Sequence, residues 1–202
     1  MKILAVSDRK HRTLYDYFDP ERFSDIDLVI SCGDLPADYL SFLVTMIPAP
    51  LLFVPGNHDG KFRKEPPSGC DSIDGRLFAY RGLVVGGLGG SVWYNGEGFQ
   101  YREKEMKRRF DRLLRRAARM GGMDILVAHA PPYGIHDLTD PCHHGFRAFR
   151  RAIDDKKTRV FVHGHTHEIH TRADRETVVG GIRIINACEY YVFELAEKPN
   201  GG

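Results

Sequence analysis

The sequence LLFVPGNHD, at residues 51–59, decides the fold, because an apolar run stops there at a cluster of polar side chains. Four other apolar runs end in the same way, and the polar residues that follow them are Asp8, Gly33-Asp34, His129 and Gly164-His165-Thr166-His167. In an open α/β sheet, the carboxyl ends of the strands line the crevice in which ligands bind. Carboxylate, amide oxygen and imidazole groups are ligands of divalent metal ions. The pattern therefore predicts strands whose ends converge on a metal site.

Predicted strands and helices alternate along the chain, which favours the α/β class. The apolar runs are rich in Val, Ile and Leu without polar alternation, as in a sheet covered on both faces. We predict strands at residues 2–6, 27–31, 51–54, 124–128 and 159–162, a hairpin at 77–87 and three short strands within 167–195. The predicted helices lie near residues 12–18, 37–46, 102–120 and 144–154, and loops at 60–72 and 86–98. We expect one domain over residues 1–196 and a flexible tail at 197–202.

Composition excludes few classes of soluble protein. The chain has 202 residues, 42% of them hydrophobic and 28% charged, with a formal net charge of +2. This balance gives no global electrostatic argument for a nucleic-acid or membrane partner. The stretch from Arg102 to Arg119 is basic, but Phe110, Leu113 and Ala117 recur at helical spacing within it, so we interpret it as the solvated face of an amphipathic helix. Binding to long nucleic acid is therefore not expected.

The cysteines and the apolar runs bear on the compartment. No N-terminal signal pattern is visible, and no apolar run approaches the roughly 18–20 residues that span a bilayer. The four cysteines are scattered, without a C-x-x-C pair: Cys32, Cys70, Cys142 and Cys188. We therefore expect a cytoplasmic, reducing environment.

The polar motifs, in their order along the chain, resemble those of the calcineurin-like metallophosphoesterase superfamily. The order is Asp, Gly-Asp, Gly-Asn-His-Asp, His and Gly-His-x-His, and it extends from Asp8 to His167. The resemblance implies a β-sandwich of two mixed sheets flanked by helices. It also implies hydrolysis of a phosphomonoester or phosphodiester by attack of metal-bound hydroxide on phosphorus.

The resemblance implies a centre for one or two divalent ions, with Mn, Fe and Zn as the expected metals. Asp34 would bridge the two ions. Asp8 and His167 would hold the first ion together with a histidine from an Asp-x-His motif. The other ion would be held by Asn57, His129 and His165. Two ions roughly 3.5–4 Å apart can clamp both oxygens of an in-line displacement at phosphorus.

The same resemblance gives catalytic roles to His58 and Asp59. His58 would stay off the metal, contact the phosphate and protonate the leaving oxygen, while Asp59 would orient the His58 ring. A carboxylate beside an imidazole suits this role because it supports the protonated ring. The alternative for Asp59 is a simple turn cap.

Lys10 departs from the family pattern, because it occupies the position of the histidine in Asp-x-His. An ammonium group offers three donors and no lone pair, so Lys10 cannot ligate a metal while protonated. Three outcomes are open: His11 takes the vacant position, the first ion binds with one ligand fewer, or that ion is weak or absent and Lys10 contacts the phosphate. The departure also leaves open an alternative function, a weakly active or inactive scaffold of the same fold.

Two further groups of residues are candidates for substrate contact. His143-His144-Gly145 matches a His-x-Gly motif of the family, and His143 would either touch the substrate or pack at the start of a helix. Trp93 and Tyr94 would either stack on a ring of the substrate or anchor their glycine-rich loop. We expect a small-molecule or nucleotide phosphate ester as the partner, and the sequence does not indicate an oligomeric state.

Overall fold

The computed structural model describes residues 1–167 and 175–196 and confirms the predicted fold class. Its strands, in chain order, are β1 (Lys2–Ser7), β2 (Leu28–Ser31), β3 (Leu51–Phe53), β4 (Asp71–Ser72), β5 (Leu77–Tyr80), β6 (Leu83–Leu88), β7 (Ser91–Val92), β8 (Gln100–Tyr101), β9 (Ile125–Ala128), β10 (Val160–His163), β11 (Glu176–Val179), β12 (Ile182–Asn186) and β13 (Glu189–Glu194). Its helices are α1 (Ala37–Met46), α2 (Glu103–Ala118) and α3 (Arg147–Asp154). The predicted tail, 197–202, lies outside the described residues.

Two mixed sheets form the body of the molecule. One has the strand order β13-β1-β2-β3-β4, in which β13 is antiparallel to β1 and the other neighbours are parallel. The other has the order β11-β12-β10-β9-β6-β5, with antiparallel pairs at both edges and parallel pairs between them. The carboxyl ends of the central parallel strands in each sheet therefore point to one edge of that sheet.

Apolar side chains fill the space between the sheets and cover both outer faces. Successive residues of a strand point to opposite faces, so a run without polar alternation can serve two layers at once. The central layer includes Ile3, Ala5, Ile30, Leu52, Val85, Ile125, Val127, Val160 and Val162. The outer face of the first sheet packs on α1 through Leu4, Val29, Leu51, Tyr39, Leu40 and Leu43. The outer face of the second sheet packs on α2 and α3 through Leu126, Phe161, Ile184, Phe110, Leu113 and Phe149.

The structure corrects three local predictions. The helix predicted near 12–18 is only a 3-10 turn at Arg12–Leu14, because residues 15–19 are aromatic or aspartate residues of modest helix propensity and Pro20 follows. The loop predicted at 60–72 contains a 3-10 turn at Gly60–Arg63 and ends in β4. The glycine-rich loop contains β7, which pairs with β8 in a separate two-stranded sheet.

Candidate metal centre

Three of the predicted ligands occupy strained turns directly after strands. Asp8, Asp34 and His165 have φ values of 66°, 57° and 69°. A left-handed backbone at a residue with a side chain costs on the order of 1–3 kcal/mol, and such strain is concentrated at functional sites. The turns reverse the chain at the edge of each sheet, which brings the polar side chains of both sheets together.

Donor atoms from the two sheets converge at this edge. One ligand atom each from Asp34, His129 and His165 lie within 4.8 Å of one another. The Asn57 side-chain oxygen is 2.9 Å from Nε2 of His129, which in turn is 3.3 Å from Oδ2 of Asp34. Asp34 and Asn57 follow strands of the first sheet, whereas His129 and His165 follow strands of the second. The structure thus brings together the four residues predicted to hold one of the ions.

The surroundings of His129 fit a cation. Its Nδ1 donates to the carbonyl oxygen of Cys32 at 2.8 Å, which leaves Nε2 facing the oxygen atoms of Asn57 and Asp34. Burial disfavours a charged His129 ring, but the charge and hydrogen bond of Asp34 outweigh burial and raise the pKa of His129 to about 9. In a neutral His129 ring, the lone pair of Nε2 would face the oxygen atoms of Asn57 and Asp34, which are also acceptors. Positive charge at this point removes the repulsion. A divalent ion held by these atoms would supply that charge, and the Cys32 carbonyl would orient the ring.

The tautomer of His165 is set in a similar way. Its Nε2 lies 2.6 Å from the carbonyl oxygen of Cys142 and donates to it, so Nδ1 is the nitrogen left for a metal. Burial and the neighbouring His129 lower the pKa of His165 to about 3. A neutral ring with one lone pair is the form that ligates a metal ion.

Asp8 and His167 are the two residues predicted to hold the first ion. Nε2 of His167 is 3.1 Å from Oδ1 of Asp8, and the backbone N–H of His165 donates to both oxygens of Asp8. The Asp8 side chain is fully buried, whereas the His167 side chain is 38% exposed. The pair predicted to hold the first ion is therefore in contact, with the imidazole facing solvent.

Lys10 and His11 make their contacts elsewhere. Nζ of Lys10 is 3.4 Å from Oδ2 of Asp38 and 4.5 Å from the centre of the Tyr15 ring. Nδ1 of His11 accepts the backbone N–H of Thr13 at 3.2 Å, and the ring packs edge-on against Tyr190. His11 therefore caps a 3-10 turn in this structure, and neither side chain completes the ligand set of Asp8 and His167.

Asp59 does not orient the ring of His58, contrary to the sequence-based expectation. Its Oδ2 instead accepts the backbone N–H groups of Asp34 at 2.8 Å and Gly56 at 2.7 Å. Burial raises the pKa of Asp59 to about 6, although these hydrogen bonds oppose that shift. Asp59 holds together the loops that follow β2 and β3, because its carboxylate satisfies one buried and one partly buried backbone donor.

His58 lies beside the carboxylate of Asp34, and its ring is exposed. Its backbone N–H donates to Oδ1 of Asp34 at 2.8 Å. Over residues 1–167 and 175–196, no hydrogen bond to the His58 ring is present. His58, Asp34, Asp38 and Lys61 line a cavity of about 560 Å³. A cavity of this size accommodates a small organic ligand.

Trp93 and Tyr94, the two aromatic residues of the glycine-rich loop, make different contacts. The Tyr94 hydroxyl accepts a hydrogen bond from Nδ2 of Asn57 at 3.2 Å, which directs the amide oxygen of Asn57 towards His129. Trp93 is 46% exposed and packs under the guanidinium of Arg102. Tyr94 thus anchors the loop on the metal centre. The sequence offers no signal for this contact, because 37 residues separate the partners.

His143 lies at the rim of the centre. Its ring centroid is 4.9 Å from that of His165 and 6.1 Å from that of His167. Its Nδ1 is 2.8 Å from Oδ2 of Asp140, which also accepts from the Cys142 thiol. Sequence reasoning missed Asp140 and Cys142. The available signal was Asp-Pro-Cys-His at residues 140–143, which places three potential ligands within four positions.

Comparison with known proteins agrees with this geometry. The family model for calcineurin-like phosphoesterases matches residues 1–168. The chain belongs to this family. Members use the phosphoesterase scaffold to bind a pair of metal ions, and the group of Asp34, His129 and His165 is a candidate for part of that centre. No curated protein matches the chain.

Solved structures show the same fold at low sequence identity. The chain is similar to TT1561 of Thermus thermophilus, with 14% identity, a TM-score of 0.62 and coverage of 93% of this chain and 89% of that one. It is similar to a dimetal phosphatase from Danio rerio, with 12% identity, a TM-score of 0.58 and coverage of 92% and 86%. It is also similar to the phosphopantetheinyl hydrolase PptH from Mycobacterium tuberculosis, with 14% identity, a TM-score of 0.53 and coverage of 93% and 88%.

Within residues 1–167 and 175–196, no helix is both long enough and apolar enough to cross a bilayer.

Proposed function

We propose that this chain is a metal-dependent phosphoesterase that hydrolyses a phosphomonoester or phosphodiester of a small molecule or nucleotide. The observation that carries the proposal is the convergence of Asp34, Asn57, His129 and His165 beside the exposed ring of His58. When bound, divalent cations supply positive charge that neutralises phosphate oxygens and lower the pKa of a water molecule to near neutrality. The chain's own residues must place those cations, orient the phosphate and deliver a proton.

Asp34 and His58 are placed to act together. Because the backbone N–H of His58 donates to Asp34, the backbone of His58 is held next to the carboxylate predicted to bridge the ions, and its exposed ring can turn towards a bound phosphate. A phosphate held at the centre lies within reach of this ring, which can contact a phosphate oxygen and give a proton to the leaving oxygen. General acid catalysis of this kind contributes typically 10²- to 10⁴-fold to the rate.

The loops that carry the ligands are preorganised without help from a substrate. Asp59 holds the backbone of Asp34 and Gly56, and Tyr94 holds the amide of Asn57. Preorganised groups cost no reorganisation during the reaction, which favours catalysis over simple binding. The cavity of about 560 Å³ next to His58 offers Lys61 to the leaving group or to a second phosphate charge.

The compartment proposed for the activity is the reducing cytoplasm. Cys32, Cys70, Cys142 and Cys188 are all free thiols, and two of them are buried. Buried free thiols are usual in proteins that are not exposed to oxidising conditions.

The proposal is tested with nitrophenyl phosphate and bis-nitrophenyl phosphate in the presence of Mn²⁺, Fe²⁺ or Zn²⁺. We expect turnover of at least one ester that is abolished by a chelator. His129→Ala is expected to lose both bound metal and activity. His58→Asn is expected to keep bound metal and lose at least about 100-fold in kcat. His11→Asn is the matched control, because it removes an imidazole outside the centre.

A second candidate, an inactive scaffold of the same fold, is favoured by Lys10 at the position of a metal ligand. The two candidates differ in metal content and in turnover. Folded protein that retains little tightly bound divalent ion and turns over neither ester would remove the enzyme proposal and leave the scaffold. Turnover that is lost in His58→Asn while metal is retained would remove the scaffold.

A further inference from the structure

A second group of metal-ligand atoms lies in the loop that precedes α3. Oδ2 of Asp140 is 2.7 Å from Sγ of Cys142 and 2.8 Å from Nδ1 of His143. The remaining pair, Sγ of Cys142 and Nδ1 of His143, is 3.5 Å apart. All three side chains are partly exposed, so an ion can reach them from solvent. None of them belongs to the ligand set that follows the strands.

The loop that carries these atoms is closed by its own hydrogen bonds. The backbone N–H of His143 donates to the carbonyl oxygen of Asp140 at 3.2 Å, and the N–H of Leu138 donates to the carbonyl oxygen of His143 at 3.2 Å. Asp137 accepts the N–H groups of Gly134 and Gly145 at 2.9 and 3.2 Å. The three side chains therefore extend from a turn that hydrogen bonds already hold in place. Binding of an ion would cost little additional conformational entropy.

One of the three separations has the value found in a zinc site. Zinc bonds of about 2.3 Å to sulfur and about 2.0 Å to nitrogen place those two atoms about 3.5 Å apart in a tetrahedron. The separation of Cys142 Sγ and His143 Nδ1 has this value. The Asp140 oxygen lies about 0.8 Å too close to Sγ of Cys142 and about 0.5 Å too close to Nδ1 of His143 for a tetrahedron. Its side chain is 43% exposed, so a rotation towards solvent can open both separations.

We propose that Asp140, Cys142 and His143 form a separate site for one zinc-class divalent cation, with water in the fourth position. On binding, the Cys142 thiol loses its proton to solvent and the thiolate bonds to the ion. A thiolate with an imidazole selects Zn²⁺, Co²⁺ or Cd²⁺ over Mg²⁺, Ca²⁺ and Mn²⁺. The metal preference of this site thus differs from that of a centre built from carboxylates, an amide and imidazoles.

The new site is linked to the metal centre through the backbone of Cys142. The carbonyl oxygen of Cys142 accepts from Nε2 of His165, while the Cys142 side chain belongs to the new site. His143 likewise faces the ring of His165. An ion at the new site fixes the residue that orients one ligand of the metal centre.

Cobalt is the probe for this site, because a thiolate bound to Co²⁺ gives a charge-transfer absorption band in the near ultraviolet. We expect the purified full-length chain to develop this band on titration with Co²⁺ and to lose it when Zn²⁺ is added, but not when Mg²⁺ is added. Cys142→Ser is expected to lose the band and one equivalent of bound Co²⁺. Cys70→Ser is the matched control and is expected to keep both, because Sγ of Cys70 hydrogen-bonds to the carbonyl oxygen of Ser68 and the residue packs against the core of the first sheet, away from the new site.

His129→Ala separates the two sites. It is expected to lose Co²⁺ from the metal centre and to retain the thiolate band. Absence of the band in the unmodified chain, its persistence in Cys142→Ser, or its loss in His129→Ala would each overturn the proposal. If circular dichroism shows that Cys142→Ser does not fold, His143→Gln replaces it as the test. The proposal requires this variant to weaken the Co²⁺ affinity measured from the thiolate band by at least about 10-fold.

Discussion

Lys10 is the residue at which the chain departs most clearly from its family. It occupies the position of a nitrogen ligand, and its ammonium group instead lies between Asp38 and the ring of Tyr15. We predict that Lys10→His raises the amount of Mn²⁺ bound per chain, because it adds a lone pair beside the contacting pair of Asp8 and His167. Equilibrium dialysis or inductively coupled plasma analysis of the metal content measures the change.

Arg9→His is the matched control for that substitution. Arg9 is exposed and adjacent to Lys10, so it receives an imidazole of the same kind one position away. Metal content that rises equally in both variants would indicate adventitious binding to a surface histidine. Metal content that rises in neither would show that the position of Lys10 no longer faces a metal site.

The residues whose convergence could be predicted from sequence are those that follow strands, and their role as metal ligands stays a prediction. Asp34, Asn57, His129 and His165 could be placed together because parallel strands end at a common edge. The hydrogen bonds of Asp59 could not be predicted, because their donors are backbone N–H groups and every residue type other than proline has one. The contact between Tyr94 and Asn57 was equally inaccessible, since it depends on where a long loop folds back.

At the scale of elements, Gly164 controls how closely β10 approaches β1. A Cβ added at Gly164 would lie 1.9 Å from Oγ of Ser7, 2.7 Å from Cβ of Ser7 and 2.5 Å from Oδ2 of Asp8. Rotation of the Ser7 side chain would relieve only the first of these contacts. We predict that Gly164→Ala destabilises the fold by about 1–3 kcal/mol and weakens metal binding through displacement of Asp8. Urea unfolding and metal titration measure the two effects.

Gly60→Ala serves as the control for added volume. A Cβ at Gly60 meets only the Cα of Gly98, at 3.6 Å, which is an ordinary contact. Gly60→Ala should therefore change the unfolding midpoint little and leave metal affinity as it is. If Gly164→Ala behaved like Gly60→Ala in both measurements, the close approach of the two strands would not position Asp8.

Most elements were predictable from hydrophobic pattern, and the short strands that were missed share a cause. Helix α1 has the predicted bounds, because Pro36 precedes it and Pro48 and Pro50 follow closely. The short strands β4 and β7 were not predicted, because each has two residues and exists only through pairing with a neighbouring strand. Two residues carry too little pattern to identify a strand when its partner is unknown.

At the scale of the whole molecule, the two sheets are joined at both ends. At the amino end of β1, Asp27 accepts the backbone N–H of Lys2 at 2.7 Å and pairs with Arg81 in the hairpin of the other sheet. The hydrogen bond from Lys2 and the charge of Arg81 lower the pKa of Asp27. At the carboxyl ends of the strands, ligands from both sheets meet at the metal centre. A bound ion therefore acts as a further cross-link between two layers that are also held by apolar packing and by polar contacts such as that of Asp27 with Arg81.

This arrangement predicts that metal removal lowers the stability of the whole fold. A ligand present at 100 times its dissociation constant stabilises the folded state by about 2.7 kcal/mol. For a chain of this size each kcal/mol corresponds to about 2–4 °C in Tm, so we expect Mn²⁺ at that excess to raise Tm by roughly 5–10 °C above the chelated protein. Differential scanning calorimetry with and without Mn²⁺ measures the shift. In His129→Ala the same addition should leave Tm nearly unchanged, because the ion loses a ligand from the second sheet. A chelated chain that melts at the same temperature as the Mn²⁺-loaded chain would mean that the two sheets hold their strand ends together without the ion.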